Sequence, residues 1–102
     1  MKRPDNVLVD LNSPVFQDDL FSIGKDDAAR VLGALRKIKK LTWPEVYADK
    51  GLRWELVQSK AGPGGGRLYT IRISRGFRAV VCRDGQFMRF LSLHPEHDEA
   101  YK

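Results

Sequence analysis

The sequence predicts an α+β fold in which two N-terminal helices pack on one face of a small antiparallel sheet, with a short helical tail at the C-terminus. Apolar residues recur at helical spacing within residues 28–41, whereas apolar and polar residues alternate between residues 67 and 93. Glycine-containing turns separate the alternating segments, which is typical of hairpins. With 102 residues, the chain has the usual size of one domain, so we expect residues 1–102 to form a single domain.

A short strand and a helix are predicted at the start of the chain. Residues 7–11 are apolar and partly β-branched, which favours a strand. Ser13 is a good helix N-cap and Pro14 suits the first helical position, so the first helix should begin there. Apolar residues at helical spacing follow, and Gly24 is expected to end this helix.

The second helix has the clearest amphipathic pattern. Asp26 or Asp27 is expected to cap its beginning, and its apolar stripe continues to Leu41. The end of its opposite face is cationic, which the helix dipole alone would favour. The same charges suit contacts with RNA phosphates, which is the role that we predict for them. The basic residues concerned are Arg36, Lys37, Lys39 and Lys40.

A short third helical turn and a run of strands are predicted next. Thr42 should cap the turn, which ends near Gly51, and the alternation in residues 52–56 favours a half-buried strand. The glycine-rich segment 60–66 lacks the Lys-Ser/Thr ending of a phosphate-binding P-loop and is expected to be a hairpin loop. Further strands are predicted at 67–73, 77–83 and 86–93, with a turn at Asp84-Gly85 and a helical tail within 96–102.

Charge and composition restrict the classes of function. The 18 Lys and Arg residues against 13 Asp and Glu residues give a formal charge of +5. Such a surplus favours an acidic partner such as nucleic acid, although it also serves solubility. The lone cysteine, Cys82, excludes an internal disulfide and a multi-cysteine metal site. We expect no metal, no small-molecule cofactor, no membrane span and no secretory signal, and therefore a cytoplasmic protein.

The candidate chemistry lies on one face of the predicted sheet and in the tail. Helices packed on the face of Tyr69 and Ile71 would leave the other face open and cationic. One helical turn separates His97 from Tyr101, so both would lie on one side of the tail. Metal-independent RNA cleavage needs a base for the 2′-OH, cations for the charged phosphorane and an acid for the leaving oxygen. The open-face residues that could serve it are Arg53, Glu55, Arg72 and Arg78.

Several segments resemble the RelE/ParE superfamily of bacterial toxins, and more closely its RelE-like branch. The strongest motif is a pair of strands that carries Arg72 and Arg78, followed by a tail with a tyrosine near its end. The resemblance implies a toxin of a type II toxin–antitoxin system. It would be a hydrolase that cleaves mRNA on the ribosome, inhibits translation and is neutralised by a cognate antitoxin protein. The segments are residues 13–20, 35–38, 68–73, 76–81 and 97–101.

The resemblance also implies roles for individual residues. Arg72 and Arg78 would hold the scissile phosphate and stabilise its added charge. Tyr101 would stack on a base or assist proton transfer, and His97 is the candidate acid or base. Glu55 would be a possible base, as in relatives that use a carboxylate.

The sequence departs from the prototype of the RelE-like branch at two places, and two other functions are alternatives to mRNA cleavage. Thr70 stands where the prototype of the branch has a lysine, and residues 94–96 offer no clear counterpart to its tail arginine. One alternative is a non-catalytic protein of the same fold whose basic face, including Arg53, binds RNA or an acidic protein. The other is a ParE-like inhibitor of DNA gyrase, against which the His97 and Tyr101 tail argues.

Overall fold

A computed structural model describes residues 4–95, which form a five-stranded sheet and three α-helices. The predicted α+β class is confirmed. The predicted helical tail falls within residues 96–102, which lie outside the described residues. The elements are β1 (Leu8–Asp10), α1 (Pro14–Ser22), α2 (Lys25–Ile38), α3 (Trp43–Ala48), β2 (Glu55–Ala61), β3 (Arg67–Ser74), β4 (Phe77–Asp84) and β5 (Phe87–Pro95).

The strands lie in the order β1-β5-β4-β3-β2. The four strands β2 to β5 pair antiparallel with their neighbours in the order of the chain. β1 instead runs parallel to β5, with Leu8 opposite Phe87. Local patterns do not reveal this pairing because it joins opposite ends of the chain. Within residues 4–95, no helix is long and apolar enough to cross a membrane.

The core lies between the helices and one face of the sheet. Phe16 of α1 and Phe90 of β5 are both fully buried, and their rings meet edge to face with centroids 5.5 Å apart. Val31 and Ile38 of α2 belong to the same buried cluster, together with Ile71 of β3. The helices cover this face, so among residues 4–95 the opposite face of the sheet is the one left open by the helices.

Side-chain caps set two of the three helix starts as the sequence predicts. Ser13 caps α1, and Thr42 forms a capping box at the start of α3. The N-cap of α2 is Gly24, so the prediction of a cap at Asp26 or Asp27 was wrong. Both aspartates lie within the first turn, where the helix dipole stabilises negative charge without a cap.

β2 begins later in the chain than the alternating pattern predicts. The strand starts at Glu55 because Arg53 has a φ of 51°, in the left-handed region, which interrupts extended backbone. The N–H of Arg53 donates to the carbonyl of Asp49 at 3.3 Å and so belongs to the preceding turn. The strand then continues to Ala61, into the segment that the sequence predicts as loop.

Gly33 lies in the interior of α2, where an added methyl group would meet nothing within 4 Å. Glycine in a helix interior is less stable than alanine by about 0.5–1 kcal/mol. We therefore expect Gly33→Ala to raise the free energy of unfolding by that amount, as measured by urea denaturation. Gly85→Ala is the matched control, because its site is equally open but its φ of +61° should make alanine destabilising. A destabilised Gly33→Ala protein would contradict the prediction.

Candidate functional site

The pairing of β3, β4 and β5 places three side chains in a row across the open face. Arg72 lies opposite Arg78, and Arg78 lies opposite His94. Residues directly opposite on neighbouring strands project to the same face, with Cβ atoms about 4.5–5.5 Å apart. The adjoining residues Ile71 and Ala79 are fully buried, so the row points away from the core. Arg72, Arg78 and His94 are hereafter the Arg-Arg-His row.

The carboxylate of Glu55 lies between two arginines. Arg53 Nη2 is 3.1 Å from Glu55 Oε2, and Arg78 Nη1 is 3.6 Å from Glu55 Oε1. The Glu55 side chain is 49% exposed, and ion pairs at such exposure are worth at most about 1 kcal/mol. A substrate phosphate can therefore displace the carboxylate from either guanidinium at small cost. Arg72 forms no ion pair with any residue of the described part of the chain.

His94 reaches the open face because of a β-bulge in β5. Val80 of β4 pairs with Ser92, whereas the next residue of β4 pairs with Phe90, so Leu91 is an extra residue. The extra residue reverses the alternation of inward and outward side chains. Ser92 and His94 then share the open face, and Ser92 Oγ lies 2.8 Å from His94 Nε2.

A groove of about 640 Å³ lies on the open face beside the row, and Arg78 and His94 contribute to its wall. Much of the remaining lining is apolar. An apolar surface next to guanidinium groups suits a ligand that has both a flat apolar part and an anionic part, as a nucleotide does. The apolar side chains of the lining include Val57, Leu68, Val80 and Leu91.

The basic residues at the end of α2 lie mainly apart from the row. Arg36, Lys37, Lys39 and Lys40 are all exposed, on or beside a helix that packs on the core side of the sheet. Lys37 forms an ion pair with Asp49, in which Lys37 Nζ is 3.0 Å from Asp49 Oδ1. Lys37 and Arg72 also line one cleft of about 290 Å³, which connects the helix surface with one end of the row.

The carboxyl groups of Asp49 and Asp10 have pKa values below their ordinary range. Burial raises the pKa of Asp49, but hydrogen bonds from the Leu52 N–H and from Lys37 outweigh that effect. The pKa of Asp10 is lowered first by the Asn12 N–H, against burial, and then by Arg89. Both carboxylates are thus stabilised in their charged form by the folded chain.

These lowered pKa values predict a loss of stability in acid. In the unfolded chain the carboxylates of Asp49 and Asp10 are protonated at about pH 4. In the folded chain their protonation requires a lower pH. The stability that the carboxylates contribute is therefore complete above about pH 4 and falls as the pH decreases through the folded pKa values. Urea denaturation at a series of pH values should show this decline, and Asp49→Asn should weaken it. An unchanged pH dependence in Asp49→Asn would contradict the assignment.

No family model matches the chain, and no curated protein sequence matches it. Solved structures do match in fold, among them the following two. YafQ from E. coli aligns with a TM-score of 0.63 at 12% identity, over 93% of this chain and 97% of its own. A copper-bound mutant toxin from Helicobacter pylori aligns with a TM-score of 0.50 at 19% identity, over 91% of this chain and 97% of its own. The chain shares the fold of these two proteins.

Within this fold, the structure brings together only part of the predicted site. Arg72, Arg78 and Glu55 share the open face, and Arg53 joins them through its ion pair with Glu55. His97 and Tyr101 lie outside the described residues and stay predictions.

The sequence alone assigns no individual role to His94 and does not identify its partner Ser92. Regular alternation continued from Phe90 would turn both side chains into the core. The available signal was the odd spacing between the apolar residues Phe90 and Leu93, which both face inward and so require one extra residue between them.

Proposed function

We propose that this protein is the toxin of a type II toxin–antitoxin system and acts as a ribosome-dependent endoribonuclease in the cytoplasm. The observation that carries the proposal is the pair Arg72 and Arg78, held side by side on the open face next to the carboxylate of Glu55. Guanidinium groups bind phosphate through paired N–H donors. A carboxylate beside them supplies a proton acceptor, so the face suits cleavage of an RNA phosphodiester.

The reaction that these groups fit is an internal transfer within RNA. A base, for which Glu55 is the candidate, takes the proton of the 2′-OH. The 2′-oxygen attacks phosphorus, the bond from phosphorus to the 5′-oxygen breaks, and an acid protonates that oxygen. The products are a 2′,3′-cyclic phosphate and a 5′-hydroxyl. Arg72 and Arg78 stabilise the charge that builds up on the phosphoryl oxygens, which is the largest contribution expected of such a site.

The tail residues and the basic surfaces complete the proposal. His97 is a further candidate acid or base, and Tyr101 a candidate for stacking on a base. Arg53 and the basic residues of α2 would hold RNA phosphates, so binding should weaken with salt. The ribosome would align the mRNA on the open face of this small protein. Such positioning of the substrate contributes to catalysis.

The implied partners are the ribosome with its mRNA and an antitoxin protein. The formal charge of +5 and the apolar groove favour an antitoxin that presents acidic and apolar side chains. Such a partner would occlude the open face and prevent access of RNA.

Induced expression in bacteria tests the proposed function. We expect growth arrest and shortened mRNAs in translated regions, both relieved by co-expression of the neighbouring antitoxin gene. Intact mRNA would contradict the proposal. Inhibited supercoiling by purified gyrase would then indicate the ParE-like alternative, and salt-sensitive RNA binding without cleavage would indicate a non-catalytic protein.

A further inference from the structure

The strand order places an imidazole and a carboxylate on opposite sides of Arg78. His94 lies on β5, Arg78 on the adjacent β4, and Glu55 on β2 at the far edge of the sheet. Glu55 nevertheless reaches Arg78, at 3.6 Å. A phosphate bound at Arg78 would therefore have a proton acceptor towards one side and an imidazole towards the other.

This order matches the requirement of in-line cleavage of RNA. The attacking 2′-oxygen and the leaving 5′-oxygen lie on opposite sides of phosphorus in the transition state. The group that removes a proton and the group that supplies one must therefore flank the cation that holds the phosphate. Two groups on the same side of Arg78 could not serve both oxygens.

The hydrogen bond to Ser92 fixes the orientation of the His94 ring. Ser92 Oγ and His94 Nε2 are 2.8 Å apart. In the protonated ring both nitrogens carry a proton, and Nε2 donates to the serine hydroxyl. Nδ1 then carries the remaining proton, which is the one available to a substrate oxygen.

We propose that His94 is the general acid of the cleavage reaction and that Ser92 is its positioning residue. The inference rests on the proposed function and deepens it. Glu55 accepts the 2′-OH proton, the phosphorus–O2′ bond forms and the phosphorus–O5′ bond breaks. His94 gives its Nδ1 proton to O5′ and is left neutral. The protein returns to its starting state when solvent takes the proton of Glu55 and reprotonates His94.

A change of leaving group separates proton donation from every other role of His94. Ribosomes carrying an mRNA are compared with ribosomes whose mRNA has sulfur in place of the bridging 5′-oxygen at the cleaved position. A thiolate leaves without a proton, so general-acid catalysis is no longer needed. His94→Ala should reduce single-turnover cleavage of the ordinary mRNA by about 10²-fold or more. With the sulfur-containing mRNA it should cleave within several-fold of the wild type.

Three controls make the result decisive. Arg78→Ala should be defective on both mRNAs, because sulfur does not replace the guanidinium. Ser92→Ala should show a smaller defect that sulfur also relieves, and Ser92→Thr, which keeps a hydroxyl, should retain most of the rate. A purely structural role of Ser92 predicts no relief by sulfur. Because His94 is exposed, its substitution should leave the fold intact, as circular dichroism can check.

Distinct outcomes overturn the two proposals. Cleavage of ordinary mRNA by His94→Ala at the wild-type rate, or a defect that sulfur does not relieve, overturns the assignment of His94. If the sulfur-containing mRNA relieves the cleavage defect of His97→Ala but not that of His94→Ala, the tail histidine is the general acid and the assignment of His94 is overturned. Failure of the wild-type protein to cleave either mRNA overturns the proposed function itself and the assignment with it.

Discussion

Arg78→Ala should reduce mRNA cleavage by roughly 10²- to 10³-fold and abolish growth arrest on expression. Arg78 is the central member of the Arg-Arg-His row and contacts Glu55. Removing one donor that stabilises a developing oxyanion costs about this factor in other enzymes. The free energy of unfolding should change by less than about 0.5 kcal/mol, because Arg78 is partly exposed and its ion pair is weak.

The matched control for Arg78 is Arg67→Ala, which removes the same charge. Arg67 is exposed at the beginning of β3 and pairs with Ala61, away from the row. Cleavage rates measured on ribosomes carrying mRNA should therefore fall in Arg78→Ala and stay near the wild-type rate in Arg67→Ala. Equal loss in both variants would mean that overall charge, and not the guanidinium of the row, supports the activity.

Phe16→Ala should lower the free energy of unfolding by about 3–5 kcal/mol. Phe16 is fully buried and packs edge to face against Phe90, so alanine would leave a cavity between α1 and the sheet. Such a loss is a large fraction of the stability of a domain of this size. Urea denaturation measures it directly.

The same helix supplies the control for Phe16. Phe21 is 80% exposed, so Phe21→Ala removes the same atoms from the surface and should change stability by less than about 0.5 kcal/mol. Similar losses in both variants would contradict the assignment of Phe16 to the core.

Phe16→Ala should also disturb the candidate site through β5. α1 holds the bulged part of β5, since Asp19 accepts a hydrogen bond from the Leu93 N–H at 2.9 Å. Ser13 Oγ also donates to the Leu91 carbonyl, at 3.3 Å. The bulge is what directs Ser92 and His94 to the open face. The helix layer therefore supports the chemistry although it lies on the other side of the sheet.

The parts of the fold that follow from sequence are those with local causes. The Ser13 and Thr42 caps, the stripe of α2 and the strands around Arg72 and Arg78 each depend on residues close in the chain. The start of β2 does not follow from alternation, because it depends on the left-handed backbone of Arg53 and its hydrogen bond to Asp49 in the preceding turn.

In the candidate site, too, some features follow from residues close in the chain and others do not. The two row arginines follow from alternation and from the turn between β3 and β4. His94 does not, because a bulge changes which face the end of β5 presents, and a bulge depends on pairing with β4. The ion pair between Glu55 and Arg78 likewise joins residues that only the folded sheet brings together.

The most direct test of the account is the chemistry of the RNA ends that the purified protein produces. The protein is incubated with ribosomes carrying a defined mRNA, and both ends at each break are identified. We expect breaks with a 2′,3′-cyclic phosphate on one fragment and a 5′-hydroxyl on the other, reduced by roughly 10²- to 10³-fold with Arg78→Ala. Intact mRNA with the wild-type protein, or breaks that persist unchanged in Arg78→Ala, would contradict it.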